Sequence, residues 1–199
     1  MERLRMIDPK DWDPQMRAAI RPDDRTPIEN GLMRFFAHRP ELALGLGSFG
    51  GALKRNRQLP ERLMELMRLR IAFHNQCRSC MAIRYNDAVN DGLTEDLVCS
   101  LEKPYEADGL TDAEKAAIRF GELLASNHLA IDDAVYAQLH EHFSEGDIVE
   151  LGLYAALCVG VGRLAATLHM VDELPEAFQE EPVGYGALSP WGNEAVAVR

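Results

Sequence analysis

The chain has 199 residues, 47% hydrophobic and 27% charged, enough for one packed domain of ordinary globular composition. Asp and Glu number 32 against 21 Lys and Arg, and the net charge of −11 repels nucleic acid and anionic lipid, so neither is an expected partner. The opening MERLRMIDPKDWDP lacks the apolar centre of a signal peptide, and the cytoplasm is the expected compartment.

Residues 1 to 26, with Pro9, Pro14 and Pro22, read as an extended N-terminal arm holding one short helix near 14–20. Residues 27 to 174 read as one all-α domain of about seven to nine helices. Ile28, Leu32, Phe35 and Phe36 share a helical face, and His38-Arg39-Pro40 ends that segment. A second helix covers 41–55. Pro60 then starts ERLMELMRLRIAFH, with Leu63, Leu66, Met67 and Ile71 inward. The next helix begins near Cys77 and runs to a left-handed stop at Asn90-Asp91-Gly92. Thr94 caps a short helix, and Thr111 to Glu114 forms a capping box. Helices over 131–143 and 147–170 complete the set. The second contains LGLYAALCVGVGRLAATL, which Arg163 interrupts, so a buried helix is expected rather than a membrane span. No alternating strand pattern stands out. Residues 175 to 199, rich in Pro, Gly and Glu, read as a C-terminal extension that wraps a neighbour or stays mobile.

The stretch HNQCRSCMAIRY carries the chemistry. Cys77 and Cys80 meet across one turn if Cys77 sits at the helix N-terminus, where free backbone N–H groups and the helix dipole favour a thiolate. A second thiol within reach resolves a sulfenic acid or a mixed disulfide. Two other readings stand beside this redox pair. His74, Cys77 and Cys80 supply three zinc ligands, but no fourth is evident, so no metal is expected. Alternatively the cysteines pack as small apolar residues. Cys99 and Cys158 read as core or near-core thiols, and His128, His140 and His142 as surface residues. Glu65, on the preceding helix, could accept a proton from a thiol or water, or face solvent. Gly45-Leu-Gly47-Ser-Phe-Gly50 matches a dinucleotide fingerprint but follows a helix instead of a strand. Close helix packing is expected there and at Gly160 and Gly162, and Arg163 is expected to pair with a carboxylate such as Glu150.

The motifs Leu59-Pro60-Glu61-Arg62, Glu65, Cys77-Arg78-Ser79-Cys80 and Gly92-Leu93-Thr94 occur in an order that resembles the carboxymuconolactone decarboxylase / alkyl hydroperoxidase D-like superfamily. Leu110-Thr111-Asp112-Ala113-Glu114-Lys115, Phe143-Ser144, Ile148-Val149-Glu150-Leu151 and Gly162-Arg163-Leu164 extend the resemblance over residues 28 to 172. It implies an all-helical subunit in a homo-oligomer, commonly a trimer or hexamer. It also implies a thiol-dependent peroxidase or disulfide reductase without a cofactor, acting on a peroxide or disulfide with an external thiol as electron donor. By the same resemblance Cys80 attacks, Cys77 resolves and Glu65 assists proton transfer, although the helix terminus favours the lower pKa at Cys77. The peroxidase branch has a His four residues after the second Cys; this chain has Arg84, and Ser79 stands where a His separates the cysteines. Arg84, paired with Glu65, is expected to stabilise a thiolate, Tyr85 to donate to a peroxide oxygen, and His74 to take over proton transfer. A decarboxylase-type lyase and a catalytically silent oligomer that binds a small ligand are the alternatives.

Overall fold

Three capping boxes begin the helices that build the scaffold: Thr26 with Glu29, Thr111 with Glu114, and Ser144 with Asp147. The computed structural model describes residues 3–179 and 187–199. Its α-helices are α1 (Pro14–Ile20), α2 (Pro27–Phe36), α3 (Pro40–Arg55), α4 (Glu61–Asn75), α5 (Arg78–Met81), α6 (Asn86–Asn90), α7 (Glu95–Cys99), α8 (Asp112–Ser126), α9 (Asp133–His140), α10 (Glu145–Leu168) and α11 (Glu176–Gln179). The fold is all-α, as expected.

Helix α4 is the axis of the core. Leu63, Met64, Leu66, Met67, Leu69 and Ile71 are all buried, because α8 and α10 cover it on one side and α6 on another. A helix buried on several faces loses the simple amphipathic pattern. That is how Glu65 and Arg68 come to lie inside a row of apolar residues. The arm before residue 27 is packed down: Trp12 and Met16 are buried against Ala37 and Ala43.

Two expectations are corrected. The helix from Cys77 to Asn90 is broken into α5 and α6 by a strand, β1 (Ile83–Tyr85); among the described residues the domain over 27–174 holds nine helices, α2 to α10, within the expected number. The carbonyls of Cys80 and Ile83 accept hydrogen bonds from Arg68, at 2.7 and 3.1 Å, and so are diverted from a helical ladder. β1 instead pairs in parallel with β2 (Val196–Val198), with Ile83 opposite Val196 and Tyr85 opposite Val198. The described end of the C-terminal extension therefore wraps its own chain; residues 180–186 lie outside the described residues.

The glycine expectation holds only in part. A Cβ on Gly162 would stand 2.7 Å from Asn75 Nδ2, so α10 and α4 approach closely there. At Gly45, Gly47, Gly50 and Gly160 a Cβ would meet nothing within 4 Å. Arg163 does not pair with Glu150. Its Nε donates to Asn75 Oδ1 at 3.1 Å and its Nη2 to the Ala125 carbonyl, while Glu150 accepts the Gln58 N–H at 3.0 Å.

α10 is 24 residues long and, among the described residues, the one helix long and apolar enough to cross a membrane; one-third of its most apolar window is buried. It packs on α4 and α8 along one face and leaves Val149, Leu153 and Leu164 exposed on another.

Candidate active site

Gln76, in the left-handed region at φ 50°, ends α4 and turns the chain into α5. Cys77 becomes the N-cap of α5, its N–H donating to the Ala72 carbonyl at 3.1 Å. Cys80 follows one turn later, and the two form a disulfide with Cα atoms 5.2 Å apart. The cysteines are not equivalent: Cys77 is 0% exposed, whereas Cys80 is half-buried and lies on the wall of a cavity of about 360 Å³.

That cavity lies between α2, α4 and α10, and Val198 of β2 completes its wall. Ile28, Leu32 and Met33 give it an apolar side, and Arg68, Tyr85, Tyr154 and Cys158 a polar one. Arg68 is buried and fully engaged. Its Nε and Nη2 donate to the two oxygens of Glu65 at 2.6 and 2.7 Å, and its Nη1 donates to the Cys80 carbonyl at 2.7 Å. Its guanidinium also lies over the Tyr85 ring, 5.2 Å from the centroid. Glu65, 2% exposed, accepts the Tyr85 N–H at 3.2 Å on the oxygen shared with Nη2. Burial works against the Arg68 charge, and the Glu65 carboxylate more than restores it, so the guanidinium stays charged throughout. Burial also pushes the phenols of Tyr85 and Tyr154 upward and the Cys158 thiol up to about 12, so all three are neutral near pH 7.

The expected residues are only partly brought together. Glu65, Cys80 and Tyr85 meet around Arg68. The expected Glu65–Arg84 pair does not exist: Arg84 points away and donates to Glu95 at 3.0 and 3.2 Å and to the Pro190 carbonyl at 2.7 Å. Residues 84 and 85 are neighbours on a strand, so they face opposite sides, and Tyr85 takes the cavity. His74 is turned towards α8, with Nε2 3.3 Å from Glu122, and is not part of the cavity wall. Cys99 is exposed and not a core thiol; Cys158 is half-buried at the cavity. Among the described residues no group of three His, Cys, Asp or Glu is placed to hold a metal.

Sequence reasoning missed Arg68, Tyr154 and Cys158. Glu65 and Arg68 stand at i and i+3, a readable ion-pair spacing, but nothing in the sequence says that the pair is buried. Tyr154 and Cys158 are one turn apart on α10, and only the approach of α10 to α4 gives them a common site.

The carboxymuconolactone decarboxylase family model matches residues 40–123. An uncharacterized protein of Mycobacterium tuberculosis (strain H37Rv) is 34% identical over 118 residues, covering 57% of this chain and 40% of that protein. YdfG of Bacillus subtilis, also uncharacterized, is 32% identical over 92 residues, covering 45% of this chain and 61% of YdfG. The chain thus spans less than two-thirds of the length of either relative. Among solved structures, the alkylhydroperoxidase AhpD core of a peroxidase-related protein from Ralstonia eutropha JMP134 superposes with a TM-score of 0.70 at 17% identity, covering 89% of this chain and 94% of that one. The debrominase Bmp8 C82A in complex with 2,3,4-tribromopyrrole gives 0.68 at 16% identity, with the same coverage of 89% and 94%. At such identities the likeness is one of fold. The family model over residues 40–123 and the fold shared with these AhpD-like proteins both agree with the resemblance read from the sequence motifs.

Proposed function

We propose that the chain is a thiol-dependent peroxidase working through the Cys77–Cys80 pair. One observation carries this reading: of two disulfide-bonded cysteines, only Cys80 opens into a cavity, and Cys77 lies wholly buried behind it. In the reduced protein the Cys80 thiolate attacks the distal peroxide oxygen. The O–O bond breaks, Cys80 becomes a sulfenic acid, and the alkoxide leaves as an alcohol after taking a proton from solvent or from the Tyr85 phenol. The Cys77 thiol then displaces water from the sulfenic acid, which gives the disulfide seen here. Two equivalents of an external thiol restore the dithiol and emerge as their own disulfide. Omitting the peroxide leaves a disulfide reductase that uses the same couple.

Nothing singles out the lyase reading: Arg84 and His74 lie outside the cavity, and the buried Arg68 on its wall is committed to Glu65. The proposal includes a cytoplasmic setting and a homo-oligomer, trimer or hexamer. The exposed Val149, Leu153 and Leu164 of α10 supply a face for assembly.

The test is cumene hydroperoxide consumption by the reduced protein with dithiothreitol as donor, beside Cys77→Ser and Cys80→Ser. Turnover lost in both variants supports the reading. A wild-type protein that forms its disulfide but consumes no peroxide is a disulfide exchanger instead. One that cycles with neither peroxide nor disulfide is a silent member of the superfamily.

A further inference from the structure

Among the described residues the cavity wall holds one buried cation, and it touches the reactive segment. Arg68 Nη1 donates to the Cys80 carbonyl at 2.7 Å, and its remaining nitrogens are taken by Glu65 and the Ile83 carbonyl. We propose that Arg68 is the positioning residue that makes Cys80 reactive, and that Glu65 serves it as a counter-ion instead of accepting a proton. This deepens the peroxidase reading but does not depend on peroxide being the substrate.

Three observations support the assignment. First, both Glu65 oxygens are occupied by the guanidinium, and one also takes the Tyr85 N–H. Both oxygens are thus committed to donors other than the thiols. Second, the other titratable groups facing Cys80 from neighbouring elements carry no charge near neutral pH: the phenols of Tyr85 on β1 and Tyr154 on α10, and the Cys158 thiol. Third, the remaining charged groups on the wall, Arg25, Glu29 and Arg199, are not buried, so solvent screens them. Glu29 is further committed to the Thr26 cap and to the Arg199 N–H. Among the described residues Arg68 is the only buried positive charge on the wall, and of the pair Cys80 is the cysteine that opens onto it. A fixed cation beside a thiol favours the thiolate. Arg84, at the family's His position, cannot do this because its fork is spent on Glu95, Pro190 and the turn after α5.

The two members of the ion pair then act on Cys80 with opposite sign, which mere structural support would not produce. The experiment follows iodoacetamide alkylation of Cys80 against pH in the reduced full-length chain, with Cys77→Ser and Cys99→Ser as background and the Cys80 peptide read by mass spectrometry. Glu65→Gln frees the guanidinium and should move the alkylation midpoint down. Arg68→Met alone leaves a buried unpaired carboxylate and can fail to fold, so the Arg68→Met, Glu65→Gln double variant is the second arm. Its midpoint should rise by about one pH unit, slowing alkylation roughly tenfold at pH 7. Arg68→Lys, which keeps the charge, should recover most of the rate. An upward shift in Glu65→Gln, or a double variant that matches the background protein, overturns the proposal. Alkylation needs no peroxide, so a protein that shows these shifts yet consumes no peroxide loses the peroxidase reading and keeps this one.

Discussion

Gln76 and Leu188 hold each other through two hydrogen bonds of 3.0 Å: Gln76 Nε2 donates to the Leu188 carbonyl, and the Leu188 N–H donates to Gln76 Oε1. Gln76 is the residue before Cys77. Beyond the other end of α5, the Val196 N–H donates to the Ala82 carbonyl at 2.8 Å. The disulfide turn is thus tied at both ends to the last described segment. Trp191 anchors that segment, its ring 4.8 Å from Phe73 and stacked by Arg70. Trp191→Ala should cost roughly 1–3 kcal/mol and speed amide exchange in Ile83–Tyr85 together with Val196–Val198. Unchanged exchange in β1 would mean that the segment is not what holds it.

Gly162 has little room for a methyl group. Its Cβ would meet Asn75 Nδ2 at 2.7 Å and come within 3.9 Å of Cys80 Sγ. Asn75 is already committed, donating to the Cys158 carbonyl at 3.0 Å and accepting from Arg163 at 3.1 Å. Gly162→Ala should therefore lower stability by about 1–3 kcal/mol and slow disulfide formation, as a thermal melt and a thiol count would record. Gly160→Ala, two residues earlier and in open space, is the control and should stabilise slightly.

These contacts mark the boundary of what the sequence reveals. Local signals are legible: Thr111 and Glu114 form the capping box their spacing announces, Gly92 takes φ 89°, and α1 spans Pro14–Ile20 as expected. The inward set Leu63, Leu66, Met67 and Ile71 is buried as its period requires. What fails is non-local. Val196–Val198 is too short to stand out as a strand, and only Ile83–Tyr85, far away in the chain, makes it one. Arg84 lies four residues after Cys80, which on a helix would put it on the thiols' face, but the backbone there is extended, and a strand's alternation turns it outward. Arg68 escapes notice for the converse reason. A helix with several arginines reads as partly solvated until all its faces are covered.

Glu122 gives the fold a pH dependence of known sign. Burial raises its pKa, but His74 Nε2 at 3.3 Å, hydrogen bonds from Tyr105 and Arg70 and the Arg70 charge bring it down to about 2 from the ordinary 4.5. A carboxylate depressed by folding contributes stability that is fully present above its unfolded pKa and lost as pH falls through the folded one. Stability should therefore decline between pH 4.5 and 2. Glu122→Gln should be less stable near neutrality, by on the order of 2 kcal/mol, with a flatter acid limb in chemical denaturation. A parallel limb would assign the acid sensitivity to other carboxylates.

The free thiols should separate cleanly. Cys99 is exposed, whereas burial lifts the Cys158 thiol to about 12. In the oxidised protein at pH 8, iodoacetamide should modify Cys99 readily and leave Cys158 untouched. Reduction should add Cys80 to the reactive set, and Cys77, at 0% exposure, should lag behind it. Peptide mass mapping reads all four sites, and a fast Cys77 would reverse the proposed order of attack.

The exposed apolar residues on α10 bear on assembly. Val149 is 60% exposed, Leu153 46% and Leu164 47%. Leu153→Asp should lower the mass seen by light scattering if this face joins subunits, and should leave the melting temperature of a protein that is already monomeric nearly unchanged. A variant that keeps the wild-type oligomer places the interface elsewhere.

The bond from Arg84 to the Pro190 carbonyl joins residues 106 positions apart, and the β1–β2 pairing spans a comparable stretch. During synthesis the ribosome therefore delivers the two cysteines long before the segment that closes over them. α4 and α8 close the shorter loop and can pack first, α10 then closes a longer one onto α4, and the strand pair closes the longest and forms last. In that interval the nascent thiols stand beside an unfinished wall, open to solvent and oxidant. The order of emergence thus makes the cysteine pair testable in ribosome-bound chains before its pocket has been sealed.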